Sequence, residues 1–300
     1  MKTYTFVLAL ICAAVPCAAQ SGELSDWGKL LDQNNPNAAK ALCSRFVNSS
    51  NKAQQVEAQI CLANVALAGN SEILLEGDNA GGGNLRSGYK KEAADEAILH
   101  LDLALKLAPQ DVTIHEGRLH ILEVSGRYTE MIKALDESCS VYEGKDAPDV
   151  WLAYAPELND LRQYQVGLDF MKVLDRHYPN NPDVIGNTGA FLNLLKKDDE
   201  AIPYLQRAVE LAPQDRINAW DLGRAYDYLN QVALADKWYQ NALSLPADQD
   251  QPSDIECLYA QFVETKLHDQ ARACTLEKKG CKAEEQTACT APVDPTKTEK

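Results

Sequence analysis

Apolar residues recur along this chain at helical spacing. Ala201, Leu205, Ala208 and Leu211 fall at i, i+4, i+7 and i+10, one face of a helix. Ala97, Leu101, Ala104 and Leu107 repeat that spacing upstream. Gly189 and Gly223, Ala201 and Ala235, Ala208 and Ala242, and Leu211 and Leu245 are each 34 residues apart, as are Pro179 and Pro213. A fixed period of this length means one supersecondary unit used repeatedly. Small side chains at Gly189, Gly223, Ala208 and Ala242 let two antiparallel helices approach closely. The prolines end one unit and open the next. One helical pair cannot bury its own apolar face, but stacked pairs can. The pattern predicts an all-α fold, an α-solenoid of stacked antiparallel helical pairs.

The predicted pairs are 24–47, then 53–75 with 91–107 around a loop, then 112–142, 148–178, 183–212 and 216–245, with a cap at 253–279. Pro156 inside the first helix of 148–178 predicts a kink or a late start there. By region, 1–19 reads as a leader and 20–90 as degenerate N-terminal repeats with a Gly-rich insertion at 76–90. Residues 91–249 read as regular repeats, 250–280 as capping helices, and 281–300 as a disordered tail without periodicity.

The repeat resembles the tetratricopeptide-repeat family. Leu222-Gly223, Tyr226, Ala235, Tyr239 and Ala242 stand where that family has its Leu-Gly, Tyr, Ala, aromatic and Ala, with Trp220 one residue late and Pro246 one early. In the preceding unit Gly189, Ala201, Ala208 and Pro213 match, while Thr188 and Leu192 replace Leu and Tyr. The resemblance implies a scaffold that binds other proteins, with the first helix of each pair lining the binding surface. Projected by helical periodicity, that surface carries Glu116, His120 and Glu123, then Asn159, Asp160, Asn187 and Asn193, then Trp220, Arg224, Asp227 and Tyr228. Asn159, Asn187, Asn193, Trp220, Arg224, Asp227 and Tyr228 are the candidate partner-binding residues. Asn amides pair with the backbone of an extended peptide, and Trp, Tyr and Arg are the usual interface anchors. The lysines that would grip a C-terminal carboxylate are missing, and the acidic members favour neutral or basic partners.

The N-terminus changes the setting. Lys2 precedes an apolar run from Phe6 to Val15, and small residues lead to Ala19, the pattern of a secretory leader cut after that residue. We expect an exported protein, periplasmic or extracellular and bacterial in style, with no membrane association after cleavage. Seven cysteines then remain. Their spacing suggests Cys43 with Cys61 and Cys257 with Cys274 as staples of the two ends. Cys281 with Cys289 would close a small tail loop, leaving Cys139 alone. Oxidising compartments allow such bonds.

Charge narrows the partners. The chain has 29 Lys and Arg against 44 Asp and Glu, a net charge of −15. So acidic a balance argues against nucleic acid and anionic lipid. Chemistry is sparse. His115 and His120 are spaced i, i+5, about 140° apart on a helix, so one metal cannot easily take both. Gly83-x4-Gly88 lacks the Lys-Ser/Thr and the preceding strand of a phosphate loop. No Ser or Cys sits in a nucleophile setting. We expect no catalysis, no cofactor and no metal. The leading expectation is an exported scaffold that binds a protein or extended peptide. The alternatives are a self-associating envelope subunit and, less favoured, a small-molecule binder or enzyme using the Gly-rich loop.

Overall fold

A computed structural model of the chain describes residues 23–77, 83–144, 147–246, 255–281 and 288–289. The leader at 1–19 lies outside the described residues. The chain divides into two compact units, Met1–Tyr154 and Ala155–Lys300.

The first unit opens with a 3-10 turn at Glu23–Asp26, then α1 (Trp27–Asp32), α2 (Pro36–Ser44) and α3 (Lys52–Leu67). A hairpin follows, β1 (Ser71–Gly77) and β2 (Gly83–Tyr89), then α4 (Lys91–Leu107), α5 (Val112–Val124), α6 (Tyr128–Val141) and α7 (Ala147–Leu152). The apolar stripe of α4, Ala94, Ala97, Leu101 and Ala104, is buried against Ile60 and Leu62 of α3. Cys43 of α2 is bonded to Cys61 of α3, and both are fully buried.

The hairpin places strands within the insertion expected at 76–90 and shortens the helix expected over 53–75. Gly69 takes a left-handed φ of 70° just past α3, so the helix cannot continue. The next seven residues, with apolar Ile73 and Leu74, pair antiparallel with β2, from Ser71 opposite Tyr89 to Gly77 opposite Gly83. Gly83 and Gly88 therefore sit in a strand, where they form no phosphate cradle. Ile73 remains 73% exposed.

The second unit holds α8 (Tyr154–Asp160), whose first residue belongs to the first unit, and α9 (Tyr164–His177). Then come α10 (Pro182–Leu194), α11 (Asp198–Leu211), α12 (Arg216–Tyr228) and α13 (Val232–Ser244). It ends with α14 (Ile255–Phe262), a π turn (Val263–Leu267) and α15 (Gln270–Gly280). Between α7 and α8 the helix is interrupted at Ala153, three residues before Pro156, as that proline requires.

The period of 34 is written into the backbone. Arg162, Lys196 and Asn230 are 34 apart and all have positive φ, between 55° and 60°. Each follows a first helix and closes it in the same way. The amide after each residue bonds a carbonyl five positions back, as Lys197 N to Leu192 O at 2.9 Å and Gln231 N to Tyr226 O at 2.8 Å. The glycines explain the close helix pairs. A Cβ on Gly189 would stand 2.5 Å from Leu205 Cγ, and one on Gly223 would stand 2.6 Å from the Tyr239 ring.

The C-terminal cystines differ from the sequence expectation. Cys257 is bonded to Cys281, and Cys274 to Cys289. The reason is antiparallel geometry. The start of α14 lies beside the end of α15, with the Cα atoms of Cys257 and Cys281 4.9 Å apart. Cys274 lies seven residues earlier on α15, about 10 Å back along the axis at 1.5 Å per residue. It is left for Cys289. The tail expected to be disordered from 281 is thus fixed at Cys281, Ala288 and Cys289, and its other residues lie outside the described ones. Cys139 is buried and takes part in none of these three bonds.

Candidate functional site

In the second unit the first helices α10 and α12 carry most of the candidate residues. The Asp215 carboxylate caps α12, accepting from Ile217 N at 2.7 Å and Asn218 N at 3.1 Å. Asn181, 34 residues earlier, caps α10 through Asp183 N and Val184 N. These caps and the left-handed turns fix where each helix face points.

Four of the seven candidates reach the surface with usable groups. Tyr228, the last residue of α12, is 44% exposed. The Lys196 ammonium sits 3.9 Å from its ring centroid, and the Arg224 guanidinium 5.8 Å from it. Arg224 also reaches the Asp221 carboxylate at 3.1 Å and the Tyr228 hydroxyl at 3.4 Å. Asp227 is half-buried and pairs with Lys266 of the π turn at 3.6 Å. Asn187 is half-buried and its amide donates to Asp183 O at 2.8 Å, inside its own helix. Asn159 is exposed on α8 and is not brought to the Tyr228 group.

Two candidates are withdrawn from the surface, contrary to the periodicity projection. Asn193 is fully buried, and its amide donates to Asp221 O at 2.9 Å, stapling α10 to α12. Trp220 is buried with its ring 4.4 Å from that of Tyr239. Asn193 faces the next first helix, while Trp220 faces the second helix of its own pair. A single-helix projection contains neither contact.

Around Tyr228 two carboxyls are buried and two ammonium groups are exposed. Asp221 is buried, and burial pushes its carboxyl up, partly opposed by Arg224. Burial likewise pushes Asp198 up, opposed by Lys196. Burial pulls the Arg224 guanidinium down, but the Asp221 charge together with Tyr228 and Tyr239 holds it above its ordinary value. The acids are inside, while Lys196 and Lys266 are outside. Lys196 and Lys266 were not in the sequence projection, because both lie at helix ends beyond the projected face.

In the first unit His115 is a core residue. Its ring nitrogens contact Ser138 Oγ and Pro109 O, each at 2.9 Å, and burial holds its pKa down. Glu123 is buried too, 3.6 Å from His120 Nδ1.

The tetratricopeptide-repeat family model matches residues 187–215, from the middle of α10 through α11 to the cap of α12. The chain also matches the C-terminal part of a TPR repeat-containing protein from Cytophaga hutchinsonii over 90% of its own length and 100% of the other, at TM-score 0.53 and 13% identity. Over residues 187–215 this chain carries a tetratricopeptide repeat. Among solved structures the repeat protein also resembles MamA, residues 41 to the end, from Desulfovibrio magneticus RS-1. That match covers 60% of this chain and 97% of the other at 20% identity and TM-score 0.43. YrrB, described as a TPR protein with an unusual peptide-binding site, matches over 69% of this chain and 93% of its own at 15% identity and TM-score 0.40. A search of curated proteins by sequence finds no match. Among the described residues no helix is long and apolar enough to cross a membrane.

Proposed function

We propose that this repeat protein is an exported scaffold that holds a partner protein or extended peptide against the first-helix face of its second unit. Tyr228 is the anchor, with Arg224, Asp227 and Asn187 beside it. One observation carries the reading: a large aromatic ring left 44% exposed at the end of α12 while two cations hold its orientation. Such a ring costs little ordering entropy on binding and offers both an apolar face and a hydroxyl. Buried Asn193 and Trp220 take no direct part and keep α12 in place. Export is supported by the cystines, since six of the seven cysteines beyond the leader are joined in three bonds and the seventh is buried.

The test is site-specific photo-crosslinking in the native host. A photoreactive residue replaces Tyr228, and a control replaces Lys172, which is exposed on the second helix α9. We expect a distinct adduct from position 228, competed by excess unlabelled wild-type protein, and none from 172. Equal yields from both positions, or adducts only with the protein itself, overturn the reading.

A further inference from the structure

The last helix is held by covalent bonds more than by packing. Of the 11 residues of α15, only Ala273 and Glu277 are buried. One brings a single methyl to the apolar contact and the other brings a carboxylate. The helix lies against α14 and the π turn, where Arg272 sits over the Tyr259 ring at 5.1 Å and pairs with Asp236 of α13 at 2.8 Å. Two cystines stand against this thin anchor. Cys257–Cys281 ties the end of α15 to the start of α14, and Cys274–Cys289 ties its middle to the turn at Ala288 and Cys289. That turn sits over Glu277. The amides of Ala288 and Cys289 donate to its two carboxylate oxygens at 3.0 and 3.2 Å, and Gln270 Nε2 donates to Ala288 O at 3.3 Å.

We propose that docking of α15 is conditional on oxidation, with the two cystines acting as a redox-sensitive clasp. A dithiol reductant gives two electrons and two protons to each cystine, which becomes two thiols, and the reductant becomes a disulfide. Opening Cys274–Cys289 frees the turn that brings two donors to Glu277. A buried carboxylate deprived of its donors is strongly unfavourable. Opening Cys257–Cys281 returns the loop entropy that the bond had removed. One buried alanine and the half-buried Arg272, paired with Asp236 and placed over Tyr259, do not offset both. The helix leaves α14, while α10 to α13 keep their own apolar pairs.

The experiment is amide hydrogen exchange on the full chain with and without dithiothreitol, with free thiols counted by alkylation. Reduction is expected to speed exchange across Gln270–Gly280 by roughly tenfold or more, leaving α10 to α13 unchanged. Reduction also opens Cys43–Cys61. The double variants Cys257→Ser/Cys281→Ser and Cys274→Ser/Cys289→Ser are therefore measured without reductant, and each is expected to give part of the rise. If α15 stays protected when alkylation shows all four thiols free, the clasp is overturned. It is equally overturned if α10 to α13 lose protection to the same degree.

Discussion

Lys196 holds a φ of 60°, a conformation in which any Cβ crowds the backbone. At the matching position 34 residues on stands Asn230, which tolerates that region better. A cation just past a helix C-terminus is favoured only weakly, but the ring of Tyr228 also gains that cation 3.9 Å from its centroid. Lys196→Gly therefore separates stability from binding. The variant is expected to raise the urea midpoint, by about 0.5–1 kcal/mol in unfolding free energy, because glycine relieves the strained turn. The same variant is expected to lower the adduct yield from position 228. A drop in both quantities would mean that Lys196 serves the fold alone.

At the scale of elements, the cystine between α2 and α3 shows what covalent closure does in the degenerate end of the chain. It spans 18 residues and joins helices that lack the family's regular small-residue pattern. Cys43→Ala/Cys61→Ala is expected to cost about 3 kcal/mol, read as the loss of unfolding free energy in denaturant titration. A loss below about 1 kcal/mol would mean that the apolar contacts among Trp27, Leu42, Ile60 and Leu101 suffice. Legibility in the sequence follows the same division. Gly189, Gly223, Ala208 and Ala242 announce the helical pairs because their smallness is required where helices touch. The hairpin at Ser71–Tyr89 was hidden, because a short apolar run such as Ile73-Leu74-Leu75 fits a helix end as well as a strand. The bond between Cys257 and Cys281 was hidden because it depends on which helix ends meet, which sequence separation does not encode. In the candidate site, Tyr228 and Arg224 were legible from periodicity. Lys196 and Lys266 were not, because their positions follow from turn geometry. Asn193 was misplaced because it serves a contact between successive repeats, and Trp220 because it packs against the second helix of its own pair.

Across the whole molecule, the buried ionisable groups set a pH optimum for stability. Burial raises the carboxyls of Glu57, Asp102, Asp175, Asp198 and Asp221, with hydrogen bonding from Trp27 opposing it at Glu57. An acid raised in the folded state stabilises fully below its unfolded pKa, and that contribution is lost as pH rises through the folded value. Burial lowers His100 and His115. A histidine lowered in the folded state stabilises fully above its unfolded pKa, and that contribution is lost as pH falls through the folded value. Self-repulsion in a chain of net charge −15 adds to the loss on the alkaline side. The exposed pair of Asp95 and Glu130 is held low, chiefly by hydrogen bonds from Lys91 and Arg127, so its contribution is lost only on the acid side. The melting temperature is therefore expected to peak near the ordinary carboxylate values of 3.8 and 4.5, between the acid-side loss at Asp95 and Glu130 and the loss at the raised carboxyls, and to fall toward neutrality, with the two histidines opposing that fall up to their ordinary 6.5. Two variants separate the opposing contributions. Glu57→Gln removes a buried charge and is expected to flatten the fall above the peak. His100→Gln removes a buried base, held 2.7 Å from Gln59 Oε1, whose contribution grows with pH up to 6.5, and is expected to steepen that fall. Melting curves collected across the pH series decide the matter. A melting temperature that climbs steadily from acid to neutral pH, unchanged in slope by Glu57→Gln, would show that the buried carboxyls do not govern stability.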